Sequence, residues 1–266
     1  MLAARLDASG VTPSERYFVM AGFVALAEKW NDFETEWKSL LATPRYVDRL
    51  PERKGKKYAH AKILAQWDEA LREAFYAEAN YLLRHTVRFA VATTYRHTEY
   101  DAAYTNYPLT TRDGRYGFGF RCTLVACCKN INEHHENQPV SFLLEQGDPG
   151  QGGAEKIFNE TAEGSKMLDE YRQLYNVTTY SLGFKEDWGA LQVADMHAYT
   201  LLKHVNSPLG RNTGKSNLYH GEINILLSNL MHSHFVLDEA DIRDQRRVSI
   251  ENWLARKAWG QRKIRS

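Results

Sequence analysis

The chain opens with two strand-like runs separated only by a turn, and this pair constrains everything that follows. Residues 1–6 lead into Asp7, Ala8, Ser9 and Gly10, and a second run over residues 17–25 is almost wholly apolar. Its aromatic and β-branched residues favour a buried strand. The turn signal around residues 10–16 makes the two runs neighbours in one sheet. Asp7 closes the first run with a charge. An acid at a strand end, just before a turn, points out over the sheet edge, where catalytic groups are commonly displayed.

The rest of the pattern supplies helices to cover that sheet. Trp30, Phe33, Trp37, Leu40 and Leu41 follow helical spacing up to a stop at Pro44. Residues 45–57 read as a solvated basic loop, and residues 63–84 as one long helix with the stripe Leu64, Trp67, Leu71, Phe75, Ala79 and Leu82. A third strand is expected over residues 87–94. Helices are expected over 100–107 and 118–132, around a loop at 110–114. Pro139 introduces a fourth strand that ends on Glu145; a loop over 147–153 and a helix from Ala154 follow. Residues 177–184 read as the final strand, followed by a helix carrying Asp195 and by helices over 216–230 and 238–257. The order predicts an α/β fold, a mixed sheet with helices against it. One domain spans 1–266, with 205–266 as a helical C-terminal extension.

Composition removes several classes of function. Lys plus Arg number 34 and Asp plus Glu 33, so any contact with nucleic acid must come from a local patch. The three cysteines form no C-x-x-C pair, which argues against a disulfide framework and a cysteine zinc site and suits a reducing, cytoplasmic compartment. No apolar run approaches the roughly 18 residues that span a bilayer. A secretory leader and a membrane partner are not expected.

Three acids stand where the apolar pattern is otherwise unbroken. Asp7 and Glu145 end strands. Asp195 shares a helix face with Leu191, Ala198 and Leu202, since residues three, four and seven apart line up at about 3.6 residues per turn. A buried carboxylate must be protonated, paired or bound to a cation. For one such Asp alone, pairing with Arg or Lys is the commoner outcome. Three together suit metal-assisted phosphoryl transfer, because Mg²⁺ and Mn²⁺ are hard cations that prefer oxygen ligands.

Leu6-Asp7-x-Ser9-Gly10, Ala21-Gly22 and Trp30-x-x-Phe33-x-x-x-Trp37 resemble the start of the "domain of unknown function 3800" family. The resemblance continues at Phe142-x-x-Glu145-x-Gly147-Asp148 and at Leu191-Gln192-x-Ala194-Asp195-x-x-Ala198-Tyr199. Nothing after residue 199 contributes to it. It implies a ribonuclease H-like fold, whose sheet presents an acid on the first strand, one on the fourth and a third on a late helix. Asp7, Glu145 and Asp195 match those places in order. The implied activity is that of a Mg²⁺- or Mn²⁺-dependent nuclease, with nucleic acid, DNA or RNA, as partner. The chain departs at Ala8, where most relatives carry Glu. The departure leaves open a degenerate module of the same fold that binds nucleic acid or protein. A metal-independent hydrolase with a carboxylate pair is the other alternative.

Further residues join this set. His60 and Lys62 sit where some relatives place an aromatic-His-x-Lys segment; His60 can assist proton transfer and Lys62 can meet a phosphate, though an exposed pair before a helix explains them as well. Asp148 is near enough to Glu145 to be an outer metal ligand, within a stretch that is first of all a turn. Gln192 can orient a carboxylate or a water. Glu133 to Glu136 read as a solvated helix end, and Cys127 and Cys128 as core. Arg262, Lys263 and Arg265 belong to a basic C-terminal segment that suits either a phosphate backbone or plain solvent.

Overall fold

The computed structural model describes residues 1–105, 113–134, 138–162, 176–207, 221–245 and 247. In chain order the elements are β1 (Leu2–Ser9), β2 (Tyr17–Leu26), α1 (Ala27–Leu41), α2 (Pro44–Val47), β3 (Glu52–Arg53), β4 (Lys56–Lys57), α3 (Ala61–Leu64), α4 (Glu69–Thr86), β5 (Val87–Arg96) and α5 (His97–Tyr104). They continue with α6 (Gly114–His134), β6 (Val140–Glu145), α7 (Gly152–Ala162), β7 (Val177–Gly183), α8 (Gly189–Asn206), α9 (Glu222–Leu227) and β8 (His232–Leu237).

The opening pair forms as expected. β1 and β2 run antiparallel, from Leu2 opposite Leu26 to Ser9 opposite Val19. Gly22 lets the two backbones approach, because a Cβ there would lie 1.9 Å from the carbonyl oxygen of Arg5. β5 adds antiparallel to β2, while β6 joins β1 and β7 joins β6 in parallel. The result is a six-stranded mixed sheet in the order β7-β6-β1-β2-β5-β8. The protein is therefore α/β, with helices on both faces of a mixed sheet.

Side-chain alternation sorts the two cores. Ala3, Val19, Ala21 and Phe23 pack under α1, α3, α4, α8 and α9, with Trp30, Phe33, Trp37 and Phe75 as the large fillers. Leu2, Ala4, Leu6, Phe18 and Met20 face α5, α6 and α7, which contribute Tyr104, Phe118, Phe120 and Ile157. All three cysteines are free and buried on this second side. Trp30 ties α1 to the sheet by donating its indole N–H to the Ala3 carbonyl at 2.8 Å. Among the described residues no helix is long and apolar enough to cross a membrane.

Several expectations need correction. Asp7 lies inside β1, not after it, because pairing with β2 continues through Ser9; only the ladder to β6 stops short, at Leu6 opposite Leu144. Residues 45–57 are not a simple loop. Pro44 starts α2, as proline does at a first helical position, and Lys54 (φ 52°) and Gly55 (φ 75°) close the tight turn of the β3–β4 hairpin. The long helix is two helices, since Asp68 accepts from the Leu71 N–H at 2.9 Å and caps a fresh start at α4. β7 is not the final strand. β8 pairs with β5 in parallel, so 205–266 is not a purely helical extension. The loop at 110–112, residues 208–220 and the basic segment from 248 onward, including Arg262, Lys263 and Arg265, lie outside the described residues.

One buried group on the α8 side makes the fold sensitive to pH. The His197 imidazole lies tilted 5.0 Å from the Phe23 ring and bonds to the Gly22 backbone, and burial first, then the nearby His234 and His232, lower its pKa to about 3. Burial likewise lowers His234 to about 4, helped by His204 and His232. Folded, these rings stay neutral where the unfolded chain already takes up protons. Their stabilisation is complete above about pH 6.5 and is lost as pH falls toward their folded values. His197→Gln keeps an uncharged donor, so its melting temperature is expected to fall less than the parent's between pH 7 and pH 5. Parallel curves for the two proteins would show that His197 does not carry this dependence.

Candidate functional site

Three elements bring the acids together on the α8 side of the sheet. The β1 and β6 ladder ends at Leu6 and Leu144, so Asp7, still within β1, and Glu145, the last residue of β6, follow side by side where the two strands part. α8 crosses both β1 and β2 and lays Asp195 over them. Asp7 is 2% exposed and Asp195 is 6% exposed, so neither charge is hydrated in the ordinary way.

What neutralises them is a residue that the sequence did not single out. Lys185 reaches in from the turn between β7 and α8. Its Nζ lies 2.6 Å from Glu145 Oε2, 3.2 Å from Asp195 Oδ1 and 3.3 Å from Asp7 Oδ2. Burial works against the ammonium, but Asp7, Asp195 and Glu145 together raise its pKa, so it stays charged. The acids respond to one another as well as to the cation. Burial, with Asp195 and Glu145 beside it, holds the Asp7 carboxyl well above the usual range despite Lys185 and the Ala8 N–H. Burial raises Glu145 in the same sense, against the pull of Lys185. One ammonium against three carboxylates leaves a formal charge of −2 if all are ionised.

Backbone donors meet two of the acids. Asp7 Oδ1 accepts from the Ala8 N–H at 2.7 Å, and Asp195 Oδ2 accepts from the Ala61 N–H at 2.7 Å. The latter bond draws the start of α3 into the site and with it His60, whose Nδ1 is 3.7 Å from Asp195 Oδ2. His60 caps α3 by accepting from the Lys62 N–H, and burial lowers its pKa although Asp195 opposes this. His60 thus belongs to the site. Asp148 sits in the turn after β6; burial, then the charge of Asp7, raise its carboxyl to about 7, with Lys185 opposing. It adjoins the cluster electrostatically.

No family model matches the chain, and neither does any curated protein.

The loop that delivers Lys185 is pinned from several sides. The Gln192 amide is spent on this loop and its surroundings: its Oε1 accepts from Trp37 Nε1 at 2.9 Å and the Ala59 N–H at 2.7 Å, and its Nε2 donates to the Lys185 carbonyl at 2.8 Å. Glu34 accepts from the Gly189 and Ala190 N–H groups at 2.8 and 2.9 Å, capping α8 from α1 with a charge that suits the helix N-terminus. The hairpin grips the other side, Arg53 pairing with Glu186 at 2.8 Å and Lys56 with Asp187 at 2.5 Å.

The donor chemistry is the kind a hard divalent cation prefers, carboxylate oxygens from three elements. Among the described residues, no group of three or more His, Cys, Asp or Glu is placed so that it could hold a metal ion. The ammonium stands at the point of convergence. Glu133 and His134 form an exposed pair at the end of α6, as expected of a solvated helix end.

Ala8 is not a gap in this cluster. It packs with the Leu2, Ala4 and Leu6 side of the sheet, opposite the acids. Ala8→Glu is therefore expected to cost about 1–3 kcal/mol of stability in a urea melt. A variant as stable as the parent would argue against this packing. Gln192→Leu strips partners from two buried N–H donors and is expected to cost roughly 2–4 kcal/mol. A loss under about 0.5 kcal/mol, the ordinary range of surface changes, would show that Gln192 does not hold the loop.

Proposed function

We propose that the protein is a phosphodiester hydrolase of nuclease type, of ribonuclease H-like fold, whose site is Asp7, Glu145 and Asp195. The observation that carries this reading is the convergence of those carboxylates, from two strands and a helix, within 3.3 Å of one atom. In chain order they stand on the first and fourth strands of the six-stranded sheet and on a late helix. Those are the places that the resemblance to the domain of unknown function 3800 family implies. Asp7, Glu145 and Asp195 would hold Mg²⁺ or Mn²⁺, with Asp148 as an outer ligand. A bound cation would supply charge stabilisation to a phosphoryl group in displacement.

The protein's own groups fill the other parts. His60 stands beside Asp195 with its ring held by the Lys62 N–H, so it can take or give a proton at the edge of the cluster. For nucleic acid as partner the hairpin beside the Lys185 loop offers Lys54, since Arg53, Lys56 and Lys57 are paired with Glu186, Asp187 and Glu52. A degenerate binding module loses its main argument, because Ala8 lies on the opposite face. A metal-independent carboxylate hydrolase keeps one, since Lys185 already supplies a cation and Asp148, raised to about 7, can serve as a general acid.

The test is cleavage of mixed DNA and RNA substrates in Mn²⁺. Cleavage is expected to stop in EDTA and to fall by roughly 10²-fold or more in Asp195→Asn, the scale on which a preorganised electrostatic group acts. Mn²⁺ at a hundred times its Kd should stabilise the parent by about 2.7 kcal/mol and leave Asp7→Asn nearly unchanged. Hydrolysis that survives EDTA would move the assignment to the metal-independent reading. An equal Mn²⁺ effect on both proteins would remove the site.

A further inference from the structure

Lys185 and a divalent cation would need the same oxygens. The ammonium already contacts one oxygen of each carboxylate, at 2.6, 3.2 and 3.3 Å, and its side chain is only 13% exposed. A metal ion bound by those oxygens would meet a like charge at contact distance in a water-poor site, where repulsion is strong. Both cannot stay.

Which part gives way follows from how the residue is held. The Lys185 backbone is fixed by Gln192, and its neighbours Glu186 and Asp187 are fixed by Arg53 and Lys56. The ammonium has no contact within 4 Å to an acid outside the cluster, among the described residues. Its four-carbon stem can therefore swing while the loop stays in place. The charge balance favours the exchange. With all three acids ionised the cluster has a formal −2 with lysine inside, and a divalent ion in its place brings one more positive charge.

We infer that Lys185 is the resident counter-ion of the carboxylate site, and that a divalent cation binds only when this ammonium leaves. The inference rests on the metal-dependent reading above and adds to it a built-in competitor. Lysine keeps three buried acids tolerable in the metal-free protein. The same contact weakens apparent metal affinity, because each binding event must break three ion pairs. The displaced ammonium remains tethered at the edge of the cluster, available to an anionic substrate.

The experiment uses the full chain and Mn²⁺ alone as probe. Free Mn²⁺ is measured by electron paramagnetic resonance during titration of the parent and of Lys185→Met. The variant is expected to bind at least tenfold more tightly, about 1.4 kcal/mol. Because Lys185→Met leaves three acids uncompensated and can fail to fold without metal, a second measurement uses the parent only. Lysines are acetylated briefly with and without saturating Mn²⁺, and labelling at each site is read by mass spectrometry. Lys185 is expected to be protected in the metal-free protein and labelled several-fold faster with Mn²⁺, while Lys62 does not change. Mn²⁺ binding to both proteins with equal affinity, or a Lys185 that stays protected at saturation, would overturn the competitor and leave the metal reading standing. Mn²⁺ binding to neither protein would overturn both.

Discussion

A single ammonium among three buried carboxylates fixes how this end of the molecule is built. Asp7 and Asp195 are almost wholly removed from water, and an uncompensated charge in such a place costs several kcal/mol. Lys185 offsets that cost only if its turn is held in one position. Three separate devices do this: the Gln192 amide, the Glu34 cap on α8 and the two ion pairs from the β3–β4 hairpin. Even Trp37, a core residue of α1, spends its indole N–H on Gln192. The core on this side of the sheet and the acid cluster are one construction.

That coupling gives the peripheral elements a purpose. The hairpin is too short to be stable alone, and its value lies in clamping the loop that carries Lys185. α3 is a single turn, yet the Ala61 N–H at its start reaches Asp195 and brings His60 alongside. The opposite face of the sheet carries Ala8, the cysteines and an aromatic cluster. The three convergent acids lie on one side.

Much of this was legible in the sequence, for definite reasons. The opening hairpin, β5 and β6 are long apolar runs bounded by turn residues, and Asp7, Glu145 and Asp195 stand out because each interrupts such a run. Lys185 was not legible. It lies in the short stretch Phe184-Lys185-Glu186-Asp187, where a lysine beside two acids looks like solvated surface. Only the tertiary fold shows that its neighbours' charges are spent on Arg53 and Lys56. β8 was hidden because His232, Ser233 and His234 break the alternation expected of a strand, and its Phe235 and Val236 are exposed at the sheet edge. The break before α4 had a signal, the cap at Asp68, but an apolar stripe running through Leu64, Trp67 and Leu71 masked it.

The central claim is that these carboxylates form a cation site which lysine fills when no metal is bound. Its most direct test is anomalous diffraction from crystals grown in Mn²⁺. The account predicts a Mn²⁺ peak bounded by Asp7, Glu145 and Asp195, with the Lys185 ammonium moved out from between them. A map at saturating Mn²⁺ with no peak there, and with Lys185 still bridging the three acids, would contradict it.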